Sequence, residues 1–172
     1  MSAIASSMSR LIVALALAVV SQARAEPAAR LPTPIAVIDF DYHDTSGETT
    51  NQAAEHEQRL RRFMSSLRHD LEAGGGYRVI ALYCGAEPCS LKRAAPDELF
   101  DAARKAGARL LLYGGVHKMS TLVQWAKLQV VDIEKDVVIE DRHFSFRGDD
   151  DEAWRRAERF IVANFGETAR PH

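Results

Sequence analysis

"TLVQWAKLQVVDIEKDVVIEDRHFSF", Thr121 to Phe146, is the stretch that decides the fold. Two β-rich runs, "TLVQWAKLQVVDI" and "DVVIEDRHFSF", are joined only by Glu134-Lys135-Asp136. A parallel pair needs a crossover of about a dozen residues, so these runs pair antiparallel in a hairpin. Just before them, "RLLLYGGVHKM" is an apolar strand whose Gly114-Gly115 predicts a kink or a close approach of other backbone. Three strands in a row with no helix between them exclude an all-parallel sheet.

Upstream the pattern is different. "IAVIDF", Ile35 to Phe40, is a short apolar run of the kind buried on both faces. Leu60, Phe63, Met64, Leu67 and Leu71 then fall on one helical stripe, with Thr49, Thr50 or Asn51 available as a cap and Gly74-Gly75-Gly76 as a stop. "YRVIALY", Tyr77 to Tyr83, predicts a second strand. "PDELFDAARKAGA" predicts a second helix, with Pro96 at its start, acids in its first turn and Arg104 and Lys105 in its last. After the hairpin, Trp154, Ala157, Phe160, Ile161 and Phe165 mark a final helix beginning near Asp149. The order β-α-β-α-β-β-β-α predicts an α/β fold of the mixed-sheet, α+β kind, one sheet with helices packed on it.

The ends carry other information. Arg10, the apolar run Leu11 to Val20 and the small residues of Ala23-Arg24-Ala25 have the arrangement of a secretory signal peptide, residues 1–25, cleaved between Ala25 and Glu26. Ten apolar residues are too few to cross about 30 Å of hydrocarbon. Either Met1 or Met8 can start such a peptide. Cleavage would remove Arg10 and Arg24 and no acid, moving the net charge from −2 to −4. A mildly acidic chain gives no reason to expect nucleic acid as a partner. Residues 26–34, "EPAARLPTP", predict a Pro-rich leader, 35–165 one globular domain and 166–172 a tail. A periplasmic or secreted protein with no integral membrane segment in its mature chain is expected. Cys84 and Cys89 in "YCGAEPCS" are the only cysteines, an even number for an oxidising compartment, and Gly85 and Pro88 between them favour a turn that closes a disulfide.

Several of these pieces together resemble one architecture of exported proteins. "IAVIDF", "AGARLLLYGGV" (Ala106 to Val116) and "AKLQVVDIEKDVVI" (Ala126 to Ile139) are similar to segments of the TolB amino-terminal domain, the curli secretion protein CsgG and the lipoprotein activators of penicillin-binding proteins. Asp39-Phe40, Gly107-Ala108, Gly114, Val116, Asp132 and Val137 fall at the matching places. The chain resembles most closely a group of short secreted bacterial proteins carrying a domain of unknown function. That resemblance implies an assembly or docking module of the cell envelope, without catalysis and without a cofactor, whose partner is another envelope protein. No cysteine follows the cleavage point, so the lipid anchor of the lipoprotein members is not expected here.

Catalytic and ligand-binding alternatives rest on a few residues. Asp39 and Asp41, at i and i+2, would share a strand face at the end where open α/β sheets bind ligands. A haloacid-dehalogenase-like phosphatase would use such a pair as nucleophile and acid, with Lys118 and an acid of Gly148-Asp149-Asp150-Asp151-Glu152 as its later motif. The residue two after the second Asp is His43 rather than threonine. The "GDDDE" acids are also placed to cap the last helix. Asp39, Asp41, His43 and Asp44, with His56, form the one stretch rich enough in ligand types for a metal, in what reads as a polar turn over 41–48. His69, His117 and His143 stand apart in sequence. Trp125 falls with Val123 and Val131 on one face, and Leu122, Ala126, Leu128 and Val130 on the other. Either Trp125 packs against a helix, or Val123, Trp125 and Val131 form a face kept for a partner.

Overall fold

The computed structural model describes residues 31–166. The expected signal peptide, its Ala25–Glu26 cleavage point, most of the leader and all but Gly166 of the tail lie outside them. Three helices pack on a six-stranded mixed sheet, with a small two-stranded sheet beside it. The elements are β1 (Thr33–Val37), β2 (Asp41–Asp44), α1 (Ala53–Ala73), β3 (Tyr77–Ile80), β4 (Tyr83–Cys84) and β5 (Glu87–Pro88), then α2 (Pro96–Lys105), β6 (Leu110–Lys118), β7 (Val123–Asp132), β8 (Val137–Arg147) and α3 (Asp151–Asn164). Leaving out the short β2, β4 and β5, this is the expected order.

The sheet runs β3-β1-β6-β7-β8, with β2 also on β6. β1 lies parallel to β3 and β6, while β6-β7-β8 is an antiparallel meander whose last turn places Asp136 at φ 54°. Asp132 holds that turn by accepting from the amides of Glu134 and Lys135. β7 alternates cleanly: Gln124, Ala126, Leu128 and Val130 are buried, whereas Trp125, Lys127 and Gln129 point to the opposite face.

Two clusters of apolar side chains hold the layers. On one face the α1 stripe of Phe63, Met64, Leu67 and Leu71 meets Val37, Leu112 and Leu128 of the sheet and Trp154 and Ile161 of α3. On the other, Leu99 and Ala103 of α2 pack with Ala36, Ile38, Leu111 and Ile133 and with Leu82, Cys89 and Ala108. α2 is short, and among the described residues no helix lies over the far half of that face.

The strand at the N-terminus differs from its expectation. It runs Thr33–Val37 rather than Ile35–Phe40, taking in the last two residues of the expected leader, and the chain returns to the sheet as β2. Val37 pairs with Leu112 and Asp41 with Gly115, so four steps along β1–β2 match three along β6. The extra residue breaks the alternation, as a bulge does. Phe40 is carried inward over Gly114, where a Cβ would collide with the Phe40 ring and the Lys127 carbonyl oxygen. This is the close approach that the glycine pair predicts. Asp41 to Asp44 is therefore a strand and not the polar turn the composition suggests.

Candidate functional site

Two neighbouring residues of β6, His117 and Lys118, point to opposite faces and define the two polar features of the molecule. Lys118 is fully buried. Its Nζ donates to Glu48 Oε2 at 2.6 Å, Gln52 Oε1 at 2.9 Å and Asp149 Oδ2 at 2.5 Å. Asp149 is the centre of this cluster. It also meets His56 Nε2 at 2.7 Å, Arg59 at 3.2 Å and the Gln124 amide at 3.2 Å. Burial by itself would raise the Asp149 pKa and lower that of Lys118. The hydrogen bonds and opposite charges between them outweigh burial, so the carboxyl is held below its usual range and the ammonium above it. Tyr42 stacks on the buried His56 ring at 4.7 Å, and desolvation pushes its hydroxyl pKa upward.

The structure thus joins Lys118 to an acid of the "GDDDE" run, but away from Asp39 and Asp41. The extra residue between β1 and β2 separates those two. Asp39 turns toward α1 and accepts from Arg68 Nη2 at 2.7 Å, while Arg68 also donates to the Val37 carbonyl oxygen at the broken strand end. Asp41 sits on β2 and lines the opposite, open face together with His43. The two carboxylates have different neighbours, although both line one crevice at the strand ends. Asp44 accepts from the Ser46 amide at 2.8 Å in a local turn, and His56 is taken into the buried cluster. Among the described residues, no three His, Cys, Asp or Glu side chains are placed to hold a metal ion. Asp150 caps α3 by accepting from the Ala153 amide at 2.7 Å, as the run of acids suggests. Only Asp149 is diverted inward. A broad crevice of about 950 Å³ opens at the strand ends, and its charged walls include Asp39, Asp41, Arg68 and Arg93.

The other feature lies on the uncovered face. Trp125 stands between two histidines, His117 with ring centres 4.9 Å away and His143 at 4.8 Å, both edge-on. His43 continues the row from β2, 5.0 Å from His117, and Thr45 Oγ1 lies 2.6 Å from His117 Nε2. The ladder register accounts for this: His43 pairs with His117, which pairs with Trp125, and His143 is one diagonal step away on β8. Histidines that stand apart in sequence are neighbours here. An open groove of about 350 Å³ runs beside them, floored by Gly114 and Gly115 and walled by Tyr113, Trp125 and Leu91, with no helix residue in its lining.

Among the described residues, Trp125 therefore packs against strand neighbours and not against a helix. Val123 is half-buried on the same face, but Val131 is 3% exposed, opposite Leu111, and is no part of an accessible surface. Leu122, expected on the inner face, lies before β7 and is 67% exposed. Cys84 and Cys89 are joined by a disulfide that closes the β4–β5 hairpin. Cys89 is buried under α2, and its carbonyl oxygen accepts from the Asp39 amide at 2.7 Å, tying the hairpin to the exit of β1.

The fold is similar to that of bacterial proteins of known structure. The hypothetical protein CT253 from Chlamydia trachomatis matches with a TM-score of 0.52 at 12% identity, over 80% of this chain and 98% of that one. Lipoprotein GNA1162 from Neisseria meningitidis matches at 0.51 and 15% identity, over 81% and 100%. The LpoB C-terminal domain from Salmonella enterica matches at 0.43 and 13%, over 69% and 85%. No curated protein matches the sequence. The chain belongs to the family DUF3280, described as a protein of unknown function (DUF2380), whose model matches residues 33–165.

Proposed function

We propose that this protein is a non-catalytic, exported module of the cell envelope that docks onto another envelope protein through the open face of its sheet, with Trp125 at the centre of the contact. The observation that carries the reading is the Trp125 row: an indole and three imidazoles, aligned across four strands, on a face that none of the described helices covers. Tryptophan is the residue most enriched at the energetic centres of protein interfaces, where a rigid ring fills a partner's pocket. Charged groups surround the row, with Asp41, Lys127 and Asp141 as a polar rim. The likeness in fold to a lipoprotein supports the setting, as does the disulfide, which belongs to oxidising compartments. Within the described residues no helix is long and apolar enough to cross a membrane. Non-catalysis is supported by the commitment of Asp39 to Arg68 and of Lys118 and Asp149 to each other.

The reading is tested by affinity capture from a detergent-solubilised envelope of the source cells, with the chain from Glu26 onward as bait and Trp125→Ala beside it. A partner retained by the wild type and lost by the folded variant is expected. Equal recovery by both would remove Trp125 from the interface. A phosphatase activity abolished by Asp39→Asn in a folded protein would establish the hydrolase alternative instead.

A further inference from the structure

An open sheet ends in two edge strands, here β3 and β8. β2 adds a third edge, and it lies in a crevice. β3 runs beside β1 as far as Ile80, which pairs with Ala36, and the chain then leaves for the β4–β5 hairpin. β2 continues the line of β1 along β6, but among the described residues it has no strand on its other side. The place that a longer β3 would fill is open. The crevice of about 950 Å³ lies there, between β2, α1 and residues 87–93.

The pairing with β6 fixes which backbone groups face that space. In a parallel ladder, alternate residues of a strand turn their N–H and C=O toward the same neighbour. Asp44 is level with Lys118, and the Thr45 amide donates to the Lys118 carbonyl oxygen, so Thr45 and His43 turn toward β6. Tyr42 and Asp44 turn away from it. A second contact agrees: the Tyr42 carbonyl oxygen accepts from Nζ of the exposed Lys92 at 2.9 Å, and Lys92 lines the crevice. This ammonium stands where the N–H of a neighbouring strand would. The Tyr42 and Asp44 amides and the Asp44 carbonyl oxygen have no partner among the described residues.

The walls favour one sign of charge. Arg61, Arg68 and Arg93 are engaged with Glu57, Asp39 and the Pro88 carbonyl oxygen, and Lys92 with Tyr42. The carboxylates of Asp41 and Glu87 meet no cation among the described residues, and that of the exposed Asp44 accepts from the Ser46 amide. The uncommitted charge along the β2 edge is negative.

We infer that β2 accepts an extended basic segment of a partner protein as an added strand, its backbone on Tyr42 and Asp44 and its lysine or arginine side chains on Asp41, Asp44 and Glu87. Main-chain pairing gives such a strand its affinity, and side-chain contacts give its selectivity. Lys92 occupies the same carbonyl oxygen and repels a basic segment, so it acts as an internal brake. The Trp125 ring is not used, and either interaction can fail without the other.

Fluorescence anisotropy with a labelled hexapeptide of alternating lysine and valine tests this at physiological salt. The controls are a glutamate–valine peptide and the lysine peptide N-methylated at every residue. Saturable sub-millimolar binding of the lysine peptide is expected, with both controls at least tenfold weaker and the Tyr42 and Asp44 amides protected from hydrogen exchange in the complex. Asp44→Pro removes an N–H that points away from β6, a substitution edge strands tolerate, and should weaken binding tenfold or more. Asp44→Asn keeps the N–H and should weaken it only a few-fold. Lys92→Ala should tighten binding several-fold and Trp125→Ala should leave it unchanged, with circular dichroism confirming that each variant is folded. No saturable binding of the lysine peptide would overturn the inference. Equal binding of the N-methylated peptide would do so too, by leaving charge alone as the cause, as would weaker binding in Lys92→Ala. Binding lost in Trp125→Ala would place the peptide on the open sheet face instead.

Discussion

The two tryptophans of this chain sit on opposite faces of one sheet and do different work. Trp154, on α3, is 3% exposed and ringed by Phe63, Tyr42 and Phe146. Trp125, on β7, is half-buried and ringed by His117 and His143. On the covered face aromatic area goes into the core, and the buried polar groups there include a closed cluster around Asp149 and the unpaired Glu158. On the uncovered face the rings lie in a row between solvent and sheet, held by ladder register alone. The contrast separates what holds the fold from what is left for a partner.

The sharpest way to break that contrast is at the closed cluster. Asp149→Ala removes the shared acceptor of Lys118, His56 and Arg59 and leaves the fully buried ammonium with Glu48 and Gln52 alone. Removing one partner of a buried pair costs about 3–5 kcal/mol, so a large drop in the urea midpoint is expected. Trp154→Ala should cost a similar amount by leaving a cavity, whereas Trp125→Ala should cost about 1 kcal/mol. Equal losses for the two tryptophans in urea titrations would show that the uncovered face is part of the core after all.

A smaller effect separates the two acids at this end of the molecule by pH. Asp149 has a lowered pKa, so its contribution is present above the unfolded carboxylate pKa and is lost as the pH falls from there through the lower folded one. Glu158 behaves oppositely. Its pKa rises from 4.5 to about 7 on folding. Below pH 4.5 both states hold the proton and there is no difference. Between 4.5 and 7 the folded state keeps a proton that the unfolded state has released, so stability falls as the pH rises. Above 7 the full penalty, about 3 kcal/mol, is in place. Glu158→Gln should accordingly stabilise the protein at pH 8 and change little at pH 4, as read by urea titrations at both values. No gain at pH 8 would mean that Glu158 is not strained by its burial.

Opening the disulfide is expected to cost less. The loop from Cys84 to Cys89 is short, and the chain-entropy model gives about 2 kcal/mol. The loss should appear as a lower melting temperature for Cys84→Ser/Cys89→Ser. The Asp39 amide is bonded to the Cys89 carbonyl oxygen, so increased amide exchange at Asp39 is expected with it.

Periodicity was enough for the covered half of the molecule. The α1 stripe, the Pro96 start of α2 and the three-residue hairpin link each express a local rule, and they produce the elements described. The uncovered half was harder to read for physical reasons. "DYHD" is polar and looks like a turn. It is a strand because β6 offers it a ladder and because Tyr42 alone points inward, onto His56. The assembly of His43, His117 and His143 around Trp125 depends on the pairing of that strand, and spacing along the chain does not encode it. Lys118 ends an apolar strand where a lysine ordinarily reaches solvent. Its burial depends on Glu48 and Gln52, just before α1, and on Asp149, just before α3, segments distant from it in the chain. The bulge between Val37 and Asp41 likewise has no marker in "VIDFD", yet it is what sends Asp39 and Asp41 to different neighbours.

Hydroxyl-radical footprinting of the two tryptophans, on the purified protein and again in intact envelopes, tests the docking reading most directly. Trp125 should be oxidised readily in the purified protein and protected several-fold in the envelope, while Trp154 stays equally protected in both. Trp125 labelled to the same extent in the envelope as in isolation would contradict a partner on the open face.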